Sequence, residues 1–290
     1  MKEAYPHGEG VVKWVSTDWL ERHLLDDGLM VLDVQPNVHD YFKEHIPGAV
    51  YMNEGLLRVP RRGLPAQYAP PEAIEANFRR VGLRADLPVV VYTGVGPHTG
   101  WGNGLEQTMM AYTLARFGHQ NVYVLDGGID KWKAEGKGLS QVFPAVDESD
   151  FDVDVHREYF VDYRSFRREK DREDVMVLDA RPPDVYAGQG PWIKPGHIPG
   201  AINVPWKRFM EPDNTRLLKT DEAIQAILDE HEIVPEKTII CSCGTGREAT
   251  NEFLLFKWYL GFPKVELYEG SFTEWSSYPG NPTVTGPNPR

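Results

Sequence analysis

The residues best suited to chemistry lie in one stretch, Thr238 to Leu260, which reads TIICSCGTGREATNEFLLFKWYL. An apolar run that predicts a strand leads into Cys-Gly-Thr-Gly and then directly into a predicted helix. A glycine-rich turn lets successive backbone N–H groups point inward, and a helix N-terminus adds partial positive charge. This layout predicts a lowered pKa for the thiol of Cys243, because the thiolate gains hydrogen bonds that the thiol lacks. The chemistry indicated is nucleophilic attack by a thiolate.

The chain has two cysteines, Cys241 and Cys243, and residues this close in sequence cannot crosslink distant parts of a fold. Cys241 belongs to the predicted strand, so we interpret it as a buried packing residue. Cys243 stands beside glycines that make sense where the backbone curls around a ligand. One Cys-x-Cys pair without a second Cys or His pair nearby supplies too few ligands for a closed zinc site. No metal site is predicted.

The two halves of the chain repeat each other. Val31 to Asn53 reads VLDVQPNVHDYFKEHIPGAVYMN, and Val177 to Pro205 reads VLDARPPDVYAGQGPWIKPGHIPGAINVP. Both contain V-L-D, an aromatic residue and H-I-P-G-A in the same order, and the second copy has a longer inner loop. A duplicated domain explains this pattern better than chance.

Strands and helices are predicted to alternate within each half. Short apolar runs such as Val89 to Tyr92 indicate buried strands, and apolar residues at three-and-four spacing indicate helices. The helices are predicted over Glu72–Val81, Leu105–Phe117, Asp221–Leu228 and Ala249–Leu260. This order is typical of an α/β fold with mainly parallel sheets and helices on both faces. We expect a first domain over 1–140 without a catalytic cysteine, a linker over 141–155 and a catalytic domain over 156–290.

Charge and hydropathy restrict the partners. The net charge of −12 opposes attraction to nucleic acid or to an anionic bilayer, so neither is an expected partner. No apolar stretch approaches the roughly eighteen residues of a membrane span. The N-terminal residues MKEAYPHGEG lack the apolar core of a signal peptide. Together these features predict a cytoplasmic protein.

Three motifs occur together: the repeated H-I-P-G-A, the strand that leads to C-G-T-G-R-E and a helix, and YEGSFTEW over Tyr268 to Trp275. In this order and over nearly the whole chain, they resemble the rhodanese family, specifically its tandem-domain sulfurtransferases. The resemblance implies two rhodanese-like domains with the site in the cleft between them. It also implies a first domain without the cysteine, and the strand that ends at Tyr92 leads into Thr93 where the second copy has Cys243.

Members of that family pass a sulfane sulfur through a cysteine persulfide, which implies that Cys243 is catalytic and that no cofactor is required. Arg181, in the family's D-x-R position, is expected to bind the anionic donor, and the alternative is a surface salt bridge. The loop residues predicted to contact the donor are Gly244, Thr245, Gly246, Arg247 and Glu248. The acceptor would be cyanide or a thiol, including one on a thioredoxin-like protein.

The donor stays open between thiosulfate, which we favour, and 3-mercaptopyruvate. Mercaptopyruvate enzymes typically have another arginine shortly after D-x-R, whereas residues 182–188 read PPDVYAG, and this favours thiosulfate. The loop itself favours the other donor. Mercaptopyruvate enzymes favour Cys-Gly-Ser-Gly, which Cys-Gly-Thr-Gly approaches, whereas thiosulfate enzymes often have a basic residue just after the cysteine. Neither pattern is matched in full, because Arg247-Glu248 replaces the small apolar pair expected after the second glycine.

Two other classes of function use the same residues. Cys241 to Arg247, C-S-C-G-T-G-R, fits the Cys-x5-Arg pattern of cysteine phosphatases and arsenate reductases, where the first cysteine is the nucleophile and the arginine holds the oxyanion. The loop from Cys243 to Glu248 has the sulfurtransferase length, and Ile240 stands where the phosphatase signature has His. We therefore favour sulfur transfer. A non-catalytic binding module is the third class, and the cysteine retained in a reactive context argues against it.

Overall fold

Parallel strands form the framework of the protein, whose computed structural model describes residues 5–26, 28–95 and 104–290. The central strands of the two halves are short and buried on both faces, as in Val89–Tyr92 and Thr238–Ser242. The strands are β1 (Val12–Val15), β2 (Met30–Asp33), β3 (Val50–Tyr51), β4 (Arg58–Arg61), β5 (Leu64–Tyr68), β6 (Val89–Tyr92), β7 (Val122–Leu125), β8 (Phe160–Val161), β9 (Val175–Asp179), β10 (Ile202–Asn203), β11 (Met210–Glu211), β12 (Asn214–Leu218), β13 (Thr238–Ser242) and β14 (Val265–Tyr268).

Helices connect the strands. They are α1 (Thr17–His23), α2 (Val38–Lys43), α3 (Pro71–Arg80), α4 (Glu106–Arg116), α5 (Gly128–Ala134), α6 (Tyr163–Glu169), α7 (Asp221–Glu230), α8 (Glu248–Leu254) and α9 (Ser271–Ser277). The four segments predicted as helices are confirmed, and the last of them continues past α8 as a wider π-helical turn over Leu255–Tyr259.

The two halves form sheets of the same design. The first sheet has the order β1-β7-β6-β2-β3, and the second has the order β10-β9-β13-β14-β8, which is the same arrangement read from the other edge. Every neighbouring pair within these sheets runs parallel. Each half adds an antiparallel hairpin, β4–β5 or β11–β12. The predicted duplication and the predicted α/β class are both confirmed.

Both faces of the first sheet are covered by core. Alternate residues of one strand point to opposite sides, so Leu32 belongs to one apolar cluster and Val31 to another. The larger cluster continues through α4 and α8 into the second half. At that junction the ring of Tyr112 packs edge-on against Phe253, with centroids 5.0 Å apart. The two halves therefore share one continuous core. Among the described residues, no helix combines the length and apolar character needed to cross a bilayer.

Candidate active site

Cys243 lies at the carboxyl edge of the second sheet, directly after β13. The parallel register between β13 and β9 places Ser242 beside Asp179. Since the carboxyl ends of parallel strands meet at one edge, Arg181, which follows β9, comes to the same edge as Cys243. The loop that starts at Cys243 ends where α8 begins at Glu248. The order of strand, loop and helix expected from the sequence is confirmed.

Backbone donors of the loop hold the thiol. The N–H of Gly246 donates to Cys243 Sγ at 3.1 Å, and the hydroxyl of Ser271 lies 3.9 Å from the same sulfur. That hydroxyl also accepts a hydrogen bond from the N–H of Cys243 at 3.1 Å. Gly246 has a φ of +80°, and a Cβ at this position would lie 2.5 Å from the carbonyl oxygen of Glu269. Only glycine fits here, so the inward-facing N–H depends on this residue type.

The expected lowering of the thiol pKa is wrong for this enclosed loop. Cys243 is fully buried. Burial raises the pKa of the Cys243 thiol, and the carboxylate of Glu248 beside it raises it further. The backbone N–H groups of Ala249 and Thr245 act in the opposite direction but are outweighed. A carboxylate at this place repels an anionic donor, so the placement gives no support to a donor-binding role for Glu248.

Replacing Glu248 by Gln is expected to speed the alkylation of Cys243 by iodoacetamide about ten-fold between pH 7 and 8, the effect of a pKa about one unit lower. Because the carboxylate raises the pKa of the Cys243 thiol, its removal lowers that pKa and increases the thiolate fraction. Timed alkylation followed by mass spectrometry of the Cys243 peptide measures the rate. Glu252→Gln is the matched control, since Glu252 lies one turn along α8 and burial raises the pKa of its carboxyl. Slower alkylation in Glu248→Gln would contradict this electrostatic role.

Trp192 covers the loop from the outside. A Cβ on Gly244 would lie 2.4 Å from Cζ2 of the Trp192 ring, so the ring rests directly on the backbone of the loop. The indole N–H donates to the hydroxyl of Thr273 at 2.7 Å, and that hydroxyl donates to the carbonyl of Gly244 at 2.7 Å. Sequence reasoning noted the longer inner loop of the second copy but missed that this loop delivers Trp192 to the site.

Arg181 is buried beneath the loop, so the alternative of a surface salt bridge is wrong. Its Nη2 pairs with the carboxylate of Asp179 at 2.6 Å and donates to the carbonyl of Gly196 at 3.1 Å. Its Nη1 is buried and has no hydrogen-bond partner among the described residues. A negative charge on Cys243 would raise the pKa of the Arg181 guanidinium, so the two groups lie close enough to interact. A buried cation near the sulfur with a free donor is suited to an anion.

Arg247 turns toward the first half of the chain. Its Nε lies 2.6 Å from Oε1 of Glu54, and its Nη2 lies 2.7 Å from Oε1 of Glu106. Glu54 follows β3, and Glu106 is the first residue of α4. Two carboxylates therefore contact the guanidinium of Arg247, and this placement does not support the prediction that Arg247 contacts the donor.

The same placement argues against a phosphatase that uses Cys241 and Arg247. Cys241 is fully buried within β13, where its register partners are Leu178 and Leu267. Burial raises the pKa of the Cys241 thiol well above its usual value. An arginine bound by two carboxylates is also not free to hold a phosphoryl oxyanion. Nothing in the sequence of the cysteine loop indicated that the first half would supply these carboxylates.

Both halves of the chain match the model of one known protein family. The model of the rhodanese-like domain matches residues 16–135 and again residues 162–278. The chain belongs to the rhodanese family. The repeat read from the sequence is therefore a tandem pair of rhodanese domains, with Cys243 in the second of them and Thr93 at the matching position of the first.

Relatives of this rhodanese are named as sulfurtransferases or as a sulfur carrier protein. The chain is 35% identical to a putative thiosulfate sulfurtransferase of Synechococcus elongatus, over 97% of this chain and 87% of that protein. It is 30% identical to the sulfur carrier protein TtuD of Thermus thermophilus, over 97% of this chain and 99% of that protein. The crystal structure of SseA from Escherichia coli, described as a 3-mercaptopyruvate sulfotransferase, superposes with a TM-score of 0.78 at 28% identity, covering 89% of this chain and 98% of that one.

Proposed function

We propose that this rhodanese moves a sulfane sulfur from thiosulfate to cyanide or a thiol through a persulfide on Cys243. The observation that carries the proposal is that two groups lie at the same sheet edge. They are Cys243 Sγ, held by the N–H of Gly246, and Nη1 of Arg181, which has no hydrogen-bond partner among the described residues. The domain over 156–290 supplies these groups, and the domain over 1–140 has Thr93 instead of a nucleophile. We place the reaction in the cytoplasm, where thiols are kept reduced.

The reaction follows from the groups present. The Cys243 thiol gives its proton to solvent, and the thiolate attacks the outer sulfur of thiosulfate. A sulfur–sulfur bond forms to Cys243 as the one within thiosulfate breaks, and sulfite leaves with the electron pair. The inward-facing N–H groups of the loop stabilise the terminal persulfide anion, and Arg181 stabilises the charge of the donor and of sulfite. A second nucleophile, cyanide or a thiolate, then removes the outer sulfur and regenerates Cys243.

Thiosulfate is favoured over 3-mercaptopyruvate by the sequence of residues 182–188, which contains no arginine for a donor carboxylate. The name of the Synechococcus relative agrees with this choice. The SseA likeness keeps 3-mercaptopyruvate as the second candidate donor. The Thermus relative is named a sulfur carrier protein, and this name supports an acceptor thiol on another protein, such as a thioredoxin-like protein.

Thiosulfate treatment is expected to add one sulfur, about 32 Da, to the peptide that contains Cys243. Mass spectrometry of the intact protein and of its peptides measures the adduct, and cyanide should remove it. Values of kcat/KM for thiosulfate and for 3-mercaptopyruvate on one preparation then rank the donors, with thiosulfate expected to be higher. An adduct on Cys241 alone would contradict the proposed nucleophile, and a higher kcat/KM with 3-mercaptopyruvate would overturn the choice of donor.

A further inference from the structure

One peptide unit of the cysteine loop is held at both of its ends. The N–H at one end belongs to Gly246 and donates to Cys243 Sγ at 3.1 Å. The carbonyl at the other end belongs to Thr245 and accepts a hydrogen bond from Nη2 of Arg58. The peptide bond is trans, so its N–H and C=O point in opposite directions within one plane. A group that fixes the oxygen therefore also fixes the direction of the N–H toward sulfur.

Arg58 comes from the half of the chain that has no cysteine. It is the first residue of β4, and its Nη2 also donates to the carbonyl of Ala66 on the paired strand β5. Its guanidinium carbon lies 5.9 Å from the centroid of the Tyr68 ring. The β4–β5 hairpin thus fixes the side chain before it reaches Thr245. The preceding short helix, Glu54–Leu57, supplies the Glu54 contact to Arg247, so one continuous segment holds the loop at two points.

A cation bound to the oxygen of a peptide unit also makes the N–H of that unit a stronger hydrogen-bond donor. Hydrogen bonding to the carbonyl polarises the peptide unit, and the N–H becomes a better donor. The acceptor is the sulfur that must carry negative charge as a thiolate. The persulfide that follows carries its charge on the terminal sulfur. No hydrogen bond joins Arg58 to Cys243 among the described contacts, so its action on the sulfur passes through the Thr245–Gly246 peptide.

We propose that Arg58 is a positioning residue for sulfur transfer, which orients and polarises the Thr245–Gly246 peptide so that its N–H stabilises charge on Cys243. The proposal rests on the sulfur-transfer function proposed above. It assigns the cysteine-less domain a part in the reactivity of Cys243, in addition to the contacts that Glu54 and Glu106 make to Arg247.

The test compares Arg58→Met with Arg58→Lys and with Arg61→Met. Arg61 is an exposed arginine on the same strand, so its replacement removes the same charge from the same hairpin. Without any sulfur donor, alkylation of Cys243 by iodoacetamide is followed from pH 6 to 10 by mass spectrometry. Arg58→Met is expected to shift the profile upward by about one pH unit and to slow alkylation about ten-fold at pH 7.5. Arg58→Lys is expected to recover part of this loss, and Arg61→Met to match the wild type.

Turnover with thiosulfate provides the second readout. Because Arg58 is proposed to act through the Thr245–Gly246 peptide and not on the donor, we expect kcat to fall about ten-fold in Arg58→Met while KM stays unchanged. Identical alkylation profiles for Arg58→Met and Arg61→Met would overturn the inference, and so would a change confined to KM. Thermal unfolding measures whether each variant is folded. If Arg58→Met is not folded, Arg58→Lys is compared with the wild type instead. A wild type that forms no persulfide would reject the proposed function, while the alkylation profiles would still decide the role of Arg58.

Discussion

Cys243→Ala is expected to abolish persulfide formation and sulfur transfer, whereas Cys241→Ala is expected to keep most of the activity. Both cysteines are free and buried, and the chain has no other thiol that could replace Cys243. Cys241 lies inside β13 with leucines at its register positions, so it acts as an apolar side chain. In an extended strand, Cα atoms two residues apart are separated by roughly 6.5 to 7 Å, which is at the limit for a disulfide.

The measurement is persulfide formation by mass spectrometry together with steady-state sulfur transfer to cyanide, on both single variants. Cys241→Ala removes one sulfur atom from a packed strand, so we expect a moderate loss of stability, about 1 kcal/mol, without a change in mechanism. Circular dichroism and thermal unfolding establish that each variant is folded. A comparable loss of activity in both folded variants would show that Cys241 takes part in turnover and would restore the phosphatase-like alternative.

Arg181→Met is expected to lower both the stability of the protein and its rate of sulfur transfer. The guanidinium and the carboxylate of Asp179 form a buried pair at 2.6 Å. Removing the cation leaves Asp179 buried without its partner, which should destabilise the fold by about 3 to 5 kcal/mol. The corresponding fall in the unfolding temperature is roughly 10 °C. Loss of the donor contact at Nη1 should cost a further 2 to 3 kcal/mol, about 30- to 150-fold, in kcat/KM.

A double variant separates these two effects. Asp179→Asn combined with Arg181→Met removes both charges, so we expect most of the lost stability to return. The Asn side chain can still accept the hydrogen bond that Asp179 receives from the backbone N–H of Arg181. Sulfur transfer should stay low, because no cation faces the donor. Thermal unfolding of the single and double variants measures the loss of stability, and kcat/KM for the donor measures the loss of the donor contact. Recovery of activity together with stability would reduce Arg181 to a structural residue.

The architecture and the position of Cys243 in its loop could be predicted from the residues alone. The repeated V-L-D and H-I-P-G-A segments predicted two copies of one domain, and the structure shows two sheets of matching strand order. The periodicity of apolar residues predicted α3, α4, α7 and α8, and the residues around Cys243 predicted the order of strand, glycine loop and helix that the structure shows. These features could be predicted because the periodicity of apolar residues and the glycines of a turn involve residues that are neighbours in the sequence.

The electrostatic environment of the Cys243 sulfur, in contrast, became visible only in the folded protein. The sequence of the loop shows the N–H groups that favour a thiolate, but not the burial and the Glu248 contact that raise the pKa of Cys243. It also could not show that Arg247 pairs with Glu54, or that Arg58 holds the carbonyl of Thr245. Charges act across space and through the local dielectric, so residues far apart in the chain set these energies once the two domains pack together.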